Sequence, residues 1–101
     1  MNITIQSPNV TIDEALDAFI RDKVEKLSRF EDRIVAAEVF IKLDHSGTDE
    51  NRVCEVRLSV PGNDLFAKST APGFEQAIAE TVDALERQLS KRKTQLHKGR
   101  M

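Results

Sequence analysis

The stretch RVCEVRLSVPGNDLFAKSTAPGF, residues 52–74, alternates, turns, alternates again and then changes period. Cys54, Val56, Leu58 and Val60 share one parity while Glu55, Arg57 and Ser59 hold the other, as in a strand with one face buried and one wet. Pro61-Gly62-Asn63-Asp64 supplies a tight turn, because proline presets one dihedral while glycine and asparagine accept positive φ. Leu65 and Ala67 resume the inward parity, which predicts a hairpin of strands at about 52–60 and 64–70. Past Pro72-Gly73 the spacing switches. Phe74, Ala77, Ile78, Val82, Leu85 and Leu89 recur at three- and four-residue steps, the stripe of an amphipathic helix.

Upstream, Ala37, Val39, Ile41 and Leu43 stay in phase over a strand at about 36–44, and the polar run from Asp44 to Asn51 reads as a loop. Ile3 and Ile5 mark a first strand at 2–6, which Ser7-Pro8-Asn9 ends, since proline offers no ladder donor. Thr11 and Glu14 have the spacing of a capping box. The stripe Leu16, Phe19, Ile20, Val24, Leu27 and Phe30 then predicts a helix over about 12–29. The order β-α-β-β-β-α fits an α+β two-layer sandwich: a four-stranded sheet with both helices on one face. Its first two strands are expected to be parallel and the rest a meander. That layout resembles double-stranded RNA-binding domains, which use a sheet with flanking helices for shape-and-phosphate binding.

The 101 residues suit one domain, taken as 1–101. With 40% hydrophobic and 32% charged residues, the chain has too much to bury to be disordered. No apolar run nears the roughly 18 residues of a membrane span. Met1-Asn2-Ile3-Thr4 lacks a signal-peptide layout. The single cysteine, Cys54, excludes an internal disulfide framework and fits a reducing, cytoplasmic location.

The net charge of −2 argues against a nucleic-acid partner until it is divided. Residues 1–83 carry nine Lys/Arg against sixteen Asp/Glu, net −7, whereas 84–101 carry six against Glu86 alone, net +5. Two readings stay open on charge alone: an anionic partner, or cations favoured by the macrodipole near a helix C-terminus.

Helix geometry places Arg87, Lys91 and Lys98 on a strip roughly 150° from the core stripe of the second helix. Arg92 points along the stripe itself, one turn past Leu89. A guanidinium there needs a partner, so the body is expected to end near Leu89 and the helix to project as a basic arm, about 87–101. The alternative is that Arg92 snorkels along the core's edge. On the first helix Lys26, Arg29 and Arg33 gather on one flank, and Lys23 lies beside the apolar stripe. Both helices are acidic at the start and basic at the end. This is capping physics for each helix alone, and a phosphate-binding ridge if the two ends meet.

Catalysis finds no support. His45 and His97 lack metal-ligand spacing, and Cys54 reads as a small core residue. Asp44, Asp49 and Glu50 lack a calcium-loop pattern, and glycines 47, 62, 73 and 99 form no phosphate cradle. No catalytic residue, metal or cofactor is expected. There is no tyrosine, tryptophan or aromatic RNP-type signature. Strand parity nevertheless puts Phe40 and Phe66 on the outer face of the sheet, where base stacking, an edge contact, a partner subunit or a strand register other than the one read are all open. A protein-interaction module docking through that face is the second functional reading.

Asn9-Val10-Thr11-Ile12-Asp13-Glu14-Ala15-Leu16, Lys23-Val24-Glu25-Lys26-Leu27, Asp32-Arg33-Ile34 and Leu85-Glu86-Arg87-Gln88-Leu89-Ser90-Lys91-Arg92-Lys93 together resemble the ribosome hibernation promoting factors. These are also called ribosome-associated translation inhibitors, ribosomal subunit interface proteins or sigma factor modulation proteins. The resemblance runs from residue 2 to about 98. It implies the same fold, and binding to ribosomal RNA of the small subunit in the channel used by messenger and transfer RNA. It also implies inhibition of translation in stationary or stressed cells. Lys23, Lys26, Arg33, Arg87, Lys91 and Lys93 match its basic positions and are carried over as RNA contacts. Arg29, Arg92, Lys98 and Arg100 are added from helix geometry. The resemblance implies neither DNA nor a membrane as partner, and leaves open whether ribosomes pair, alone or with another small factor. The chain stops just after the second helix, so a short form is expected, without the further domain of long forms or the acidic tail of some short ones. Pro72-Gly73 stands where the family has an acidic-hydrophobic-aromatic helix start, with Phe74 keeping the aromatic.

Overall fold

The structure, a computed structural model, describes residues 1–44 and 51–98, with side chains through Arg92. His45, Asp49, Glu50 and Arg100, and the side chains of Lys93, His97 and Lys98, lie outside the described residues. The elements are β1 (Asn2–Gln6), α1 (Glu14–Glu25) with a 3₁₀ turn (Lys26–Arg29), β2 (Ala36–Leu43), β3 (Arg52–Ser59), β4 (Leu65–Ala71) and α2 (Phe74–Lys98). The sheet order is β1-β2-β3-β4, with β1 and β2 parallel and the other pairs antiparallel.

Strand parity decides which face is covered. The rows Ala37–Leu58–Leu65, Val39–Val56–Ala67 and Ile41–Cys54–Ser69 turn one face inward. Ile20, Val24 and Leu27 of the first helical segment and Ile78, Val82, Leu85 and Leu89 of α2 complete the same buried cluster. Ile20, Leu27, Ile41, Leu58, Ile78 and Leu85 are fully buried, each worth about 1.5–3 kcal/mol by transfer. Both helices therefore sit on one face, in an α+β two-layer sandwich.

The chain enters α1 later than the sequence pattern indicates. Thr11 does not cap it. Asp13 does, with extended backbone (φ −80°, ψ 173°) and a carboxylate accepting the Leu16 N–H at 2.8 Å. Asp13 directly precedes the first helical residue, where a cap side chain meets the amide three residues on, while Thr11 lies two residues further upstream and Ile12 between them packs against the core. The last turn tightens to 3₁₀ at Lys26–Arg29 instead of continuing as α-helix. Asn9 ties the connection to β2, its amide donating to the Leu43 carbonyl (2.9 Å) and accepting the Leu43 N–H (3.0 Å). β4 lies one residue later than the spacing suggests.

Among the described residues one polar side chain, Thr81, is fully buried. The Thr81 hydroxyl reaches the Ala77 carbonyl at 2.8 Å and the Cys54 carbonyl at 3.2 Å, fastening α2 to β3. Cys54 itself is a core residue, and burial pushes its thiol up to about 11. Native protein at neutral pH should accordingly alkylate on the order of a hundredfold more slowly than unfolded protein, since the thiolate is the reactive form. Iodoacetamide labelling followed by mass spectrometry checks this, and equal rates in the two states would contradict the burial.

Candidate nucleic-acid interface

The topology brings both helix ends to one pole. β1 and β4 are each parallel to β2 by the pairing pattern. Each helix follows one of those strands and runs back along the sheet, so α1 and α2 point the same way. Their N-termini, with Asp13, Glu14, Asp17 and Glu75, lie at one pole. Their C-terminal halves lie at the other, beside the 30–35 connection and the 61–64 turn. Parallel macrodipoles place partial negative charge at this second pole, and cations from both helices offset it.

The end of the 3₁₀ turn and α2 enclose a cleft of about 310 Å³ lined by Arg29, Arg33 and Arg92 with Phe30, Glu31, Asp32 and Leu89. Arg92 also lines a second cleft, about 380 Å³, with Gly62, Asn63, Leu65, Gln88 and Lys91. It thus joins the basic end of the first helical segment to the exposed strip of α2. Lys91, in that cleft, and Arg87, one turn earlier on α2, are exposed and have no ion pair among the described residues.

The remaining cations differ in how free they are. Lys23 is half-buried, its ammonium 5.5 Å from the centroid of the Phe19 ring, an attraction of about 0.5–1 kcal/mol at such sites. Lys26 lies 3.5 Å from Asp22 one turn back, an exposed pair worth a few tenths of a kcal/mol. Arg33 grips Glu31, Nη2 to Oε1 at 2.9 Å and Nε to Oε2 at 3.3 Å. This hydrogen-bonded guanidinium holds the Glu31 carboxyl below the usual carboxylate range. Arg29 is exposed and without an ion pair among the described residues.

Arg92 does not project. Its Nη2 lies only 2.6 Å from the position a Cβ on Gly62 would take, and its Nη1 is buried without a hydrogen-bond partner. The snorkelling alternative describes this residue, and the reason is local. Gly62 has a positive φ of 94° in the tight turn and carries no side chain, which leaves room for a guanidinium. The helix backbone still overshoots the sheet. Twenty-five residues of α2 extend roughly 37 Å, against roughly 23 Å for the seven residues of β4. The role of Gly62 escaped the sequence reading, because its spacing from Arg92 obeys no helical or strand period.

Residues 3–97 match the family described as sigma 54 modulation protein / S30EA ribosomal protein. The chain belongs to that family. It is 32% identical to the ribosome hibernation promoting factor of Acinetobacter guillouiae over 103 residues, covering 95% of this chain and 91% of that protein. It is also 32% identical to the ribosome hibernation promoting factor of Escherichia coli K12 over 96 residues, covering 95% and 97%. A ribosomal subunit interface protein from Coxiella burnetii shares the fold, with a TM-score of 0.83 at 20% identity over 93% of this chain and 99% of that one.

The protein is thus a homologue of ribosome hibernation promoting factors, a non-enzymatic family. The described residues include no group of His, Cys, Asp and Glu placed to hold a metal ion. No helix among them is long and apolar enough to cross a membrane.

Proposed function

We propose that this protein is a cytoplasmic ribosome-associated hibernation factor that binds ribosomal RNA of the small subunit in the messenger and transfer RNA channel and inhibits translation in stationary phase or stress. The observation that carries the reading is the meeting of two parallel helices at one basic pole, where Arg29, Arg87 and Lys91 lack carboxylate partners among the described residues. Family membership supplies the ribosomal context. Lys23, Lys26, Arg33 and Arg92 flank that pole, and Lys93, Lys98 and Arg100 follow on the same chain segment as further RNA contacts.

Charge distribution adds a direction. The pole with both helix N-termini is acidic, so a polyanionic channel attracts one end of the molecule and repels the other. The chain spans one RNA-binding unit on this reading and needs no cofactor.

Co-sedimentation with purified small subunits over a salt series tests the proposal. With on the order of six phosphate contacts, affinity should drop roughly a thousandfold between about 50 and 200 mM salt, as releasing counterions into a saltier solution gains less entropy. Failure to co-sediment at low salt would rule the reading out.

A further inference from the structure

The face of the sheet away from the helices carries its own pattern. Register places Arg57 between Glu38 on β2 and Phe66 on β4, and Glu55 between Phe40 on β2 and Lys68 on β4. Phe66 is 49% exposed and Phe40 half-buried. With Pro8, Lys42, Glu55 and Arg57 they line a shallow groove of about 330 Å³. Lys42 is neutralised by Glu55 at 2.9 Å. Arg57 and Lys68, the two cations beside Phe66, have no ion pair among the described residues.

We propose that the β3–β4 half of this face is a second RNA-binding surface, on which Phe66 stacks an unpaired base while Arg57 and Lys68 hold the adjoining phosphates. The inference rests on the reading of the protein as an RNA binder and extends it from the helix pole to the opposite side of the sheet. The chemistry favours RNA over a protein partner. Stable protein interfaces have a core depleted of charge and rich in contiguous apolar area, whereas here Glu38, Lys42, Glu55, Arg57 and Lys68 separate two isolated rings. A pleated face with an exposed aromatic ring and neighbouring cations is what a splayed single strand requires: every base has a π-face, and every linkage a negative charge. Glu38, across Arg57 from Phe66, confines the cationic field to the β4 side.

The surface is also continuous with the basic pole. The Gln88 side-chain amide donates to the Phe66 carbonyl at 3.0 Å. The cleft holding Gln88, Lys91 and Arg92 opens at the start of this same edge strand, where Leu65, the neighbour of Phe66, lines it. A strand leaving Lys91 reaches Phe66 by crossing β4, so the occupant is the unpaired continuation of the RNA held at the pole.

The protein has no tryptophan, so Phe66→Trp is both a conservative stacking variant and the sole tryptophan reporter. A short uridine oligonucleotide should quench its emission saturably, and an RNA duplex of equal length should not. Phe66→Ala and Phe66→Leu should each weaken oligonucleotide binding about tenfold, while Phe66→Trp retains it. Because Phe66 is half-exposed, all three variants should stay folded, with midpoints within several degrees of wild type. Unquenched emission, equal quenching by duplex, or Phe66→Leu binding as well as wild type would overturn the stacking role. So would concentration-dependent self-association of the wild type that Phe66→Ala abolishes, since the face would then be a protein interface. The two readings fail differently. If subunits co-sediment with wild type and Phe66→Ala equally, the second surface is lost and the pole stands. If wild type does not co-sediment at all, the RNA-binding reading itself fails.

Discussion

Replacing both Arg87 and Lys91 by glutamate should lower affinity for small ribosomal subunits about a hundredfold near 100 mM salt, with little change in thermal unfolding. Both side chains are exposed, one helical turn apart, on the side of α2 turned away from the core. Neither has an ion pair among the described residues, so no carboxylate competes with a phosphate for them. Removing two phosphate contacts should flatten the slope of log affinity against log salt by about two. The introduced carboxylates add repulsion that is strongest at low salt. Arg87→Gln with Lys91→Gln separates these effects, since it removes the contacts without the repulsion and should cost closer to tenfold. Binding isotherms at three salt concentrations give affinity and slope together. An unchanged slope in the glutamate variant would show that the strip does not meet phosphate. Reversal at Lys26 or Arg33 should cost less, because Asp22 and Glu31 already draw on those charges in the free protein.

The contrast between these cations shows what one dimension of sequence conveys. Periodicity is a property of consecutive residues, so it located every strand and both helices, and parity alone placed Phe40 and Phe66 on the outer face. A cap is decided by where the first helical turn begins, and α1 begins at Glu14, which makes Asp13 and not Thr11 the residue beside it. The convergence of the basic helix ends was legible as far as strand order was, because two helices that follow parallel strands must point the same way. The competition for individual charges was not. Whether Arg33 binds Glu31, and whether Arg92 folds over Gly62, depends on loops whose conformation follows from packing and not from spacing. Gly62 looked like a turn residue for its positive φ, and it is one. Its missing side chain also receives an arginine thirty positions away.

Leu85→Ala should lose about 2–5 kcal/mol of stability, the usual cost of a cavity at a fully buried leucine. That is a large share of the roughly 5–15 kcal/mol available to such a domain. At several degrees per kcal/mol, the midpoint should fall by roughly 15 °C, measurable by circular dichroism. The position is sensitive because Ile78, Val82, Leu85 and Leu89 are the buried residues that seat the middle of α2 against the sheet. α2 also carries Arg87, Lys91 and Arg92, yet the cavity lies on the opposite side of the helix from the first two. Below its midpoint the variant should therefore bind subunits with wild-type affinity per folded molecule. Excess subunits should also raise its apparent midpoint, since a ligand selective for the folded state shifts unfolding by mass action. The glutamate variants should show the reverse: wild-type melting without subunits, and far less upward shift with them. A fall in low-temperature affinity for Leu85→Ala as large as its fall in stability would mean that the interface is built by α2 packing itself, and not by charges displayed on a rigid helix.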